Sequence, residues 1–212
     1  MNFDWLQSKD NALIYIGDTM CSWCHGFANE LTTIKDNHPE LDFKMIQGGL
    51  RPFNTEKAID MADFLRSHWV EINERTGQPF SYDILEDPDF IYDTEPASRA
   101  VVVARMMNPE IEFEFFKAVQ TSFYRDNVNT NEIETYLKLA ADFGLDKTLY
   151  QEQFESDLAK ENTKADFALS QQLGIKGFPS MVLKKDNRFM LISNGYNTAD
   201  AIEETLKMAL SS

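Results

Sequence analysis

The stretch DTMCSWCHGF, residues Asp18 to Phe27, holds both cysteines of the chain, Cys21 and Cys24, with His25 directly after them. This motif fits two different interpretations. C-x-x-C near a βαβ pattern is typical of a thiol–disulfide redox site, whereas C-x-x-C-H is typical of c-type haem attachment. The sequence on either side of the string is needed to choose between them.

The flanking sequence predicts a strand before the cysteines and a helix after them. ALIYIGD (12–18) is a short apolar run that ends in Gly-Asp, as buried strands do. Residues 24–40 predict a helix that ends before Pro39. LDFKMIQGG (41–49) alternates apolar and polar residues and predicts a second strand. Strand, helix and strand in this order predict a βαβ unit.

The next hundred residues carry helical signals. Thr55 has the character of an N-cap, and the helix that it starts is predicted to end at Gly77. Its predicted buried face recurs at steps of three and four: Ala58, Ala62, Leu65, Trp69 and Ile72. An irregular loop over 81–96 precedes further helices that run to Gly174. Asn129 with Glu132 is typical of a capping box at the start of one of them.

The last forty residues return to strand signals. PSMVL (179–183) and FMLIS (189–193) predict two strands joined by a turn at Asp186-Asn187. A closing helix is predicted to bury Ile202, Leu206 and Ala209. The predicted order is therefore β-α-β, a block of helices, and β-β-α. We assign residues 1–53 and 165–212 to one α/β domain and residues 54–164 to a helical insertion.

Composition excludes several classes of partner. The 212 residues include 35 Asp and Glu against 20 Lys and Arg, for a net charge of −15. Such a surface repels phosphate backbones and anionic membranes, so neither nucleic acid nor a membrane is expected as a partner. The apolar run Ala12–Ile16 is too short for a signal peptide. We therefore expect a cytoplasmic protein, where a close cysteine pair indicates catalysis or metal binding.

The position of the cysteines predicts their roles. A thiolate, not a thiol, attacks a disulfide. Cys21 lies where the predicted strand ends and the helix begins, and a helix N-terminus favours a thiolate through unpaired N–H groups and partial positive charge. Cys24 follows one turn later on the same side. We predict that Cys21 is the exposed nucleophile and Cys24 the more buried resolving thiol.

Other chemistries fit the sequence less well. Zinc needs four ligands, and only His25, His38 and His68 are available besides the two cysteines. Haem attachment would use both cysteines, His25 and a methionine, but it explains neither the preceding strand nor the β-β-α tail. No cofactor is expected. A binding module that uses the aromatic-rich helices, with incidental cysteines, remains an alternative.

Three features together resemble a known family. They are DTMCSWCHGF after a strand, QQLGIKGFPSMVL (171–183), and helices inserted between two thioredoxin-like halves. Over essentially the whole chain the sequence resembles the DsbA-like branch of the thioredoxin superfamily. It is most similar there to the cytoplasmic bacterial proteins described as predicted protein-disulfide isomerases with a C-S-W-C motif.

The resemblance implies both a fold and an activity. The fold is thioredoxin-like α/β with an inserted all-helical domain. The activity is disulfide exchange with protein or small-thiol substrates, and the redox partner is left unknown. A relative of kappa-class glutathione transferases and isomerases is the alternative enzyme, but those proteins generally carry serine where this chain has Cys21.

The resemblance also implies roles for residues outside the motif. Pro179 is expected to be cis and to lie beside the cysteines, with Phe178 in contact with substrate and with the Cys21 sulfur, unless Phe178 serves only core packing. Because proline lacks a backbone donor, such a turn leaves nearby backbone free to pair with an extended substrate. Trp23 is expected to be exposed and to hold apolar substrate segments.

The chain departs from the family pattern beside the nucleophile. Tyr15 stands where many relatives carry a buried carboxylate, and Asp18 is either its substitute or a turn residue. Ser22, with Trp23, differs from the better-known dipeptides that help to set the redox potential, which spans roughly −270 to −120 mV in related proteins. Asp18, Ser22 and His25 are expected to tune the pKa values of the two thiols. Arg99 is predicted to face either the cleft or solvent.

Overall fold

The computed structural model describes residues 3–8, 10–186 and 188–211. The named strands of these residues form one four-stranded sheet with the order β2-β1-β3-β4. Their bounds are β1 Ala12–Gly17, β2 Asp42–Gln47, β3 Ser180–Lys185 and β4 Arg188–Asn194. The sheet therefore joins the first part of the chain to the last.

The predicted βαβ unit and the predicted turn-joined pair of closing strands are both present, and the structure adds the pairing of β1 with β3. β1 runs parallel to β2, and β3 runs antiparallel to both β1 and β4. All six residues of β1 are buried, which explains its continuous apolar sequence, since a central strand is covered on both faces. Asp186, in the turn between β3 and β4, has a φ of 50°. Asn187, the other predicted turn residue, lies outside the described residues.

The α-helices account for the remaining regular structure, apart from short 3-10 turns. Their bounds are α1 Ser22–Gly26, α2 Ala28–Asn37, α3 Ala62–Thr76, α4 Glu95–Met107, α5 Glu112–Tyr124, α6 Ile133–Asp142, α7 Lys147–Glu155, α8 Asp157–Gln172 and α9 Ala199–Ser211. The helix predicted after the cysteines is two helices, since the α-helical pattern is interrupted at Phe27. α2 ends before Pro39, as predicted.

The predicted start of the first inserted helix, at Thr55, is wrong. The backbone at Glu56 and Ala58 pairs instead with Tyr92 and Phe90, and this pairing keeps the segment extended. A 3-10 turn, Ala58–Met61, follows before α3 begins. Four of the five residues predicted to form the buried face are buried, namely Ala58, Leu65, Trp69 and Ile72. The fifth, Ala62, is only half-buried. The helix ends at Gly77, whose φ is 72°.

The predicted capping box at Asn129 is also wrong. α6 begins at Ile133, and the Asn129 side chain accepts a hydrogen bond from the Asn131 N–H at 2.9 Å within the preceding turn. Its amide nitrogen donates to the Glu132 carboxylate at 3.2 Å. The polar residues therefore stabilise a turn rather than a helix end. In α9, Ile202 and Leu206 are buried as predicted and Ala209 is half-buried.

Arg99 faces neither the predicted cleft nor solvent. Its guanidinium pairs with Glu95 at 3.0 Å and lies 4.1 Å from the centre of the Phe154 ring. It also donates a hydrogen bond to the Phe154 carbonyl at 2.9 Å. Arg99 therefore joins α4 to α7 within the helical part of the molecule.

A buried ionic network connects the sheet to the helices. Arg105 on α4 donates to both oxygens of Asp166 on α8, each at 3.1 Å, and to Glu112 on α5 at 3.0 Å. The same carboxylate of Asp166 accepts from the Gln47 N–H of β2 at 3.0 Å, and Arg105 reaches the Met45 carbonyl. Four elements meet at these charges.

We retain the division into residues 1–53 with 165–212, and residues 54–164, as a proposal; α8 spans its second boundary. The sheet strands all lie in the first set, and α3 to α7 lie in the second. Among the described residues, the helices are too short or too polar to cross a bilayer.

Candidate active site

Cys21 and Cys24 lie at the junction of β1 and α1. Cys21 directly precedes α1, and its carbonyl accepts the His25 N–H at 3.0 Å. The prediction that Cys21 is exposed is wrong, since it is only 6 % exposed with the Phe178 carbonyl beside its sulfur, whereas Cys24 is fully covered as predicted. Both are free thiols. The cysteine nearer to solvent is therefore the one at the helix N-terminus, where N–H groups and the helix dipole favour a thiolate.

The loop before β3 brings a second segment to the Cys21 sulfur. The Phe178–Pro179 peptide bond is cis, and the Phe178 carbonyl lies 3.7 Å from Cys21 Sγ. The Phe178 ring turns away and packs over Gly48, where an added Cβ would come within 2.2 Å of it. Phe178 thus packs its ring in the interior while its backbone faces the sulfur.

Tyr15 occupies the space behind Cys24. Burial raises the pKa of the Cys24 thiol well above its ordinary value, and the neighbouring Cys21 adds to this effect. Burial likewise raises the pKa of Tyr15, with Cys24 as the next cause. The Tyr15 hydroxyl lies near the Cys24 thiol without an aligned hydrogen-bond partner among the described residues. Cys24 is therefore held as a protonated thiol.

Asp18 is a buried carboxylate that ties two loops together. It accepts hydrogen bonds from the Met20 N–H at 2.9 Å and from the Leu50 N–H at 2.8 Å. Burial raises the pKa of Asp18 to about 6, although these backbone donors oppose the shift. The contacts place Asp18 as a turn residue that holds the cysteine segment against the loop after β2.

His25 anchors α1 to the helical part of the protein. Its Nε2 lies 3.0 Å from the Pro79 carbonyl, and its ring stacks on Tyr124 at 4.8 Å. Burial lowers its pKa from 6.5 to about 4, so the ring is neutral at pH 7 and Nε2–H is the donor to that carbonyl. Among the described residues, its hydrogen bond and ring contacts are with Pro79, Phe80 and Tyr124 rather than with either cysteine sulfur. Ser22, the remaining residue predicted to tune the thiols, is half-buried at the first position of α1.

Because His25 is buried, we expect the folded protein to lose stability in acid. Because its folded pKa lies below its unfolded value, the unfolded state takes up a proton first as pH falls from 6.5 towards 4, and stability is lost in that window. We expect His25 to account for a loss of about 2 kcal/mol between pH 8 and pH 5. Urea unfolding of the wild type and of His25→Gln at both pH values measures it. An equal pH dependence in the two proteins would contradict the assignment.

Trp23 sits in a group of side chains that local sequence does not identify. Its ring centroid lies 5.3 Å from that of Tyr196 and 5.8 Å from that of His68, and the Arg75 guanidinium is 5.4 Å away. Trp23 is half-buried rather than fully exposed. Tyr196 follows Gly195, whose N–H donates to the Pro179 carbonyl at 2.8 Å. The group therefore adjoins both segments of the cysteine site.

No group of three or more His, Cys, Asp or Glu side chains is placed to hold a metal ion in the described part of the chain. The converging residues are instead Cys21, Cys24 and the Phe178–Pro179 loop. A thiol near a helix N-terminus with a second, protonated thiol behind it is suited to disulfide exchange.

Comparison with known proteins agrees with this geometry. A family model described as thioredoxin matches residues 15–203. A structure from Nitrosomonas europaea, provisionally named a protein disulfide isomerase, is 35 % identical with a TM-score of 0.87, and the match covers 95 % of this chain and 98 % of that one. Among proteins with curated functions, none matches the sequence.

Two further structures share the fold at lower identity. The cytosolic disulfide reductase DsbM from Pseudomonas aeruginosa is 24 % identical with a TM-score of 0.78, over 94 % of this chain and 98 % of that chain. A second structure of it contains GSH. The oxidoreductase DsbA from Xylella fastidiosa is 11 % identical with a TM-score of 0.64, over 96 % and 86 %. The chain therefore belongs to the thioredoxin family and has the DsbA-like architecture, a thioredoxin fold interrupted by helices.

Proposed function

We propose that this protein is a thiol–disulfide oxidoreductase in which Cys21 attacks and Cys24 resolves. The observation that carries the proposal is the asymmetry of the pair. Cys21 lies at the start of α1 beside the Phe178 carbonyl, whereas Cys24 is fully buried and its pKa is raised by that burial. An attacking thiol and a resolving thiol need these different environments.

The proposed exchange has two steps. The Cys21 thiolate attacks one sulfur of a substrate disulfide; a mixed disulfide forms, and one substrate thiolate leaves and takes up a proton. Cys24 then loses its proton and attacks the Cys21 sulfur, which releases the second substrate thiolate and forms the Cys21–Cys24 disulfide. Two electrons pass to the substrate. The reverse sequence oxidises a substrate dithiol.

The proposed substrates are protein or small-thiol disulfides in the cytoplasm. The half-buried Trp23 and the backbone of the Phe178–Pro179 loop would contact them. The cytosolic reductase of similar fold, and its structure with GSH, support both the compartment and the small-thiol class. An isomerase or glutathione-transferase relative is not favoured, because Cys21 stands where those proteins generally carry serine.

Turnover of insulin disulfides with dithiothreitol as reductant tests the proposal. We expect the wild type to accelerate insulin reduction and Cys21→Ser to show only the uncatalysed rate. Binding of unfolded protein by a variant that lacks both cysteines, combined with full insulin reduction by Cys21→Ser, would instead favour a binding module with incidental cysteines.

A further inference from the structure

Arg75 differs from every other arginine of the chain in its partners. The sequence contains seven arginines, and six of them pair with a carboxylate within 3.9 Å. Arg75 forms no ion pair among the described residues, although carboxylates outnumber Lys and Arg by 35 to 20. Among the described residues, Arg75 is therefore the arginine whose guanidinium has no carboxylate partner.

Aromatic rings hold Arg75 in place instead of a carboxylate. Its guanidinium carbon lies 4.9 Å from the Tyr196 ring centroid and 5.4 Å from that of Trp23. We call these three residues the Arg75 cluster. Cation–π contacts occupy the face of the guanidinium and leave its N–H edge available to an anion. The last turn of α3 suits a cation through the helix dipole, but that does not explain why the side chain lies over two rings.

The Arg75 cluster adjoins the reacting sulfur from two directions. Trp23 lies two residues after Cys21 on the first turn of α1. Tyr196 follows Gly195, whose N–H donates to the Pro179 carbonyl, and the neighbouring Phe178 carbonyl lies 3.7 Å from Cys21 Sγ. The two segments that reach the Cys21 sulfur thus continue directly into the cluster, and this is where we place one polar end of a small disulfide substrate.

We propose that the Arg75 cluster binds a carboxylate of a small, acidic disulfide substrate while Cys21 attacks its sulfur. The proposal rests on the disulfide exchange proposed above and names the substrate class of that site. Guanidinium pairs with carboxylate through two parallel hydrogen bonds, and the flanking rings fix its plane. An otherwise acidic surface repels such a substrate, so a single cation at the site would select where it binds.

Two model disulfides of opposite character test the proposal. Reduced protein is mixed with 3,3′-dithiodipropionate, which carries two carboxylates, or with bis(2-hydroxyethyl) disulfide, which is neutral. Each reaction converts the two protein thiols to a disulfide and releases two probe thiols, which are measured after an acid quench. We expect Arg75→Ala to lower the ratio of the anionic to the neutral second-order rate constant about tenfold. Added salt should lower the wild-type ratio as well.

Arg66→Ala is the matched control. Arg66 also lies on α3, is half-buried and sits 5.2 Å from the centre of the Tyr82 ring, but it pairs with Glu86 at 2.8 Å. Its replacement should leave the ratio unchanged. If Arg75→Ala lowers the rate constants for both probes equally, the inference is overturned but the proposed function is not. Arg75 would then act on the thiol and not on the carboxylate. A wild type that reacts with neither probe would overturn the proposed function together with the inference.

Discussion

Replacing Cys24 by serine is expected to make the protein accumulate a mixed disulfide at Cys21. The serine leaves the attack by Cys21 intact but removes the thiol that would release the substrate from it. Cys24 is fully buried, and serine is of similar size, so the fold should survive the change. Non-reducing electrophoresis and mass mapping after incubation with a disulfide substrate measure the adduct.

The complementary variant serves as the control for this trap. Cys21→Ser retains Cys24, but that thiol is buried and its pKa is raised, so it should form no adduct under the same conditions. An adduct that maps to Cys24 in the Cys21→Ser protein would reverse the proposed roles of the two cysteines.

Replacing Arg105 by methionine is expected to cost about 3 kcal/mol of unfolding free energy. The change leaves Asp166 and Glu112 without their shared cation in a buried site that joins α4, α5, α8 and β2. Burial already raises the pKa of Glu112 to about 7 with Arg105 beside it. Urea unfolding at pH 7.5, followed by circular dichroism, measures the loss.

An ion pair nearer to solvent gives the comparison for that loss. Arg66→Met breaks the pair with Glu86, whose carboxylate is largely exposed, and should cost less than about 1 kcal/mol. If Arg105→Met unfolds no more easily than Arg66→Met, the buried network does not hold the helices to the sheet.

Signals that are local in sequence predict the fold well. The apolar run of β1, the cysteine pair after it and the GFPS loop at 177–180 each lie within a few residues. They suffice to predict the βαβ unit and the closing β-β-α, whereas the place of the Phe178–Pro179 loop beside Cys21 is expected only from the resemblance to DsbA-like proteins. The helical face of α3 follows from its spacing in the same way.

Features that depend on distant residues are not predictable from these signals. The start of α3 is displaced because residues 56–58 pair with 90–92 across more than thirty residues. The charges of Arg105, Glu112 and Asp166 have no shared spacing that marks them as a buried network. In the same way, Trp23 acquires Arg75 and Tyr196 only through folding, and His25 becomes buried against Tyr124.

A redox titration of the cysteine pair tests the central claim most directly. The protein is equilibrated with glutathione buffers of known potential, and the fraction of chains that hold a Cys21–Cys24 disulfide is measured by thiol alkylation and mass spectrometry. We expect one reversible two-electron transition, with a midpoint between roughly −270 and −120 mV. Chains that keep both thiols free across this range, or that take up two separate glutathione adducts without closing the disulfide, would contradict it.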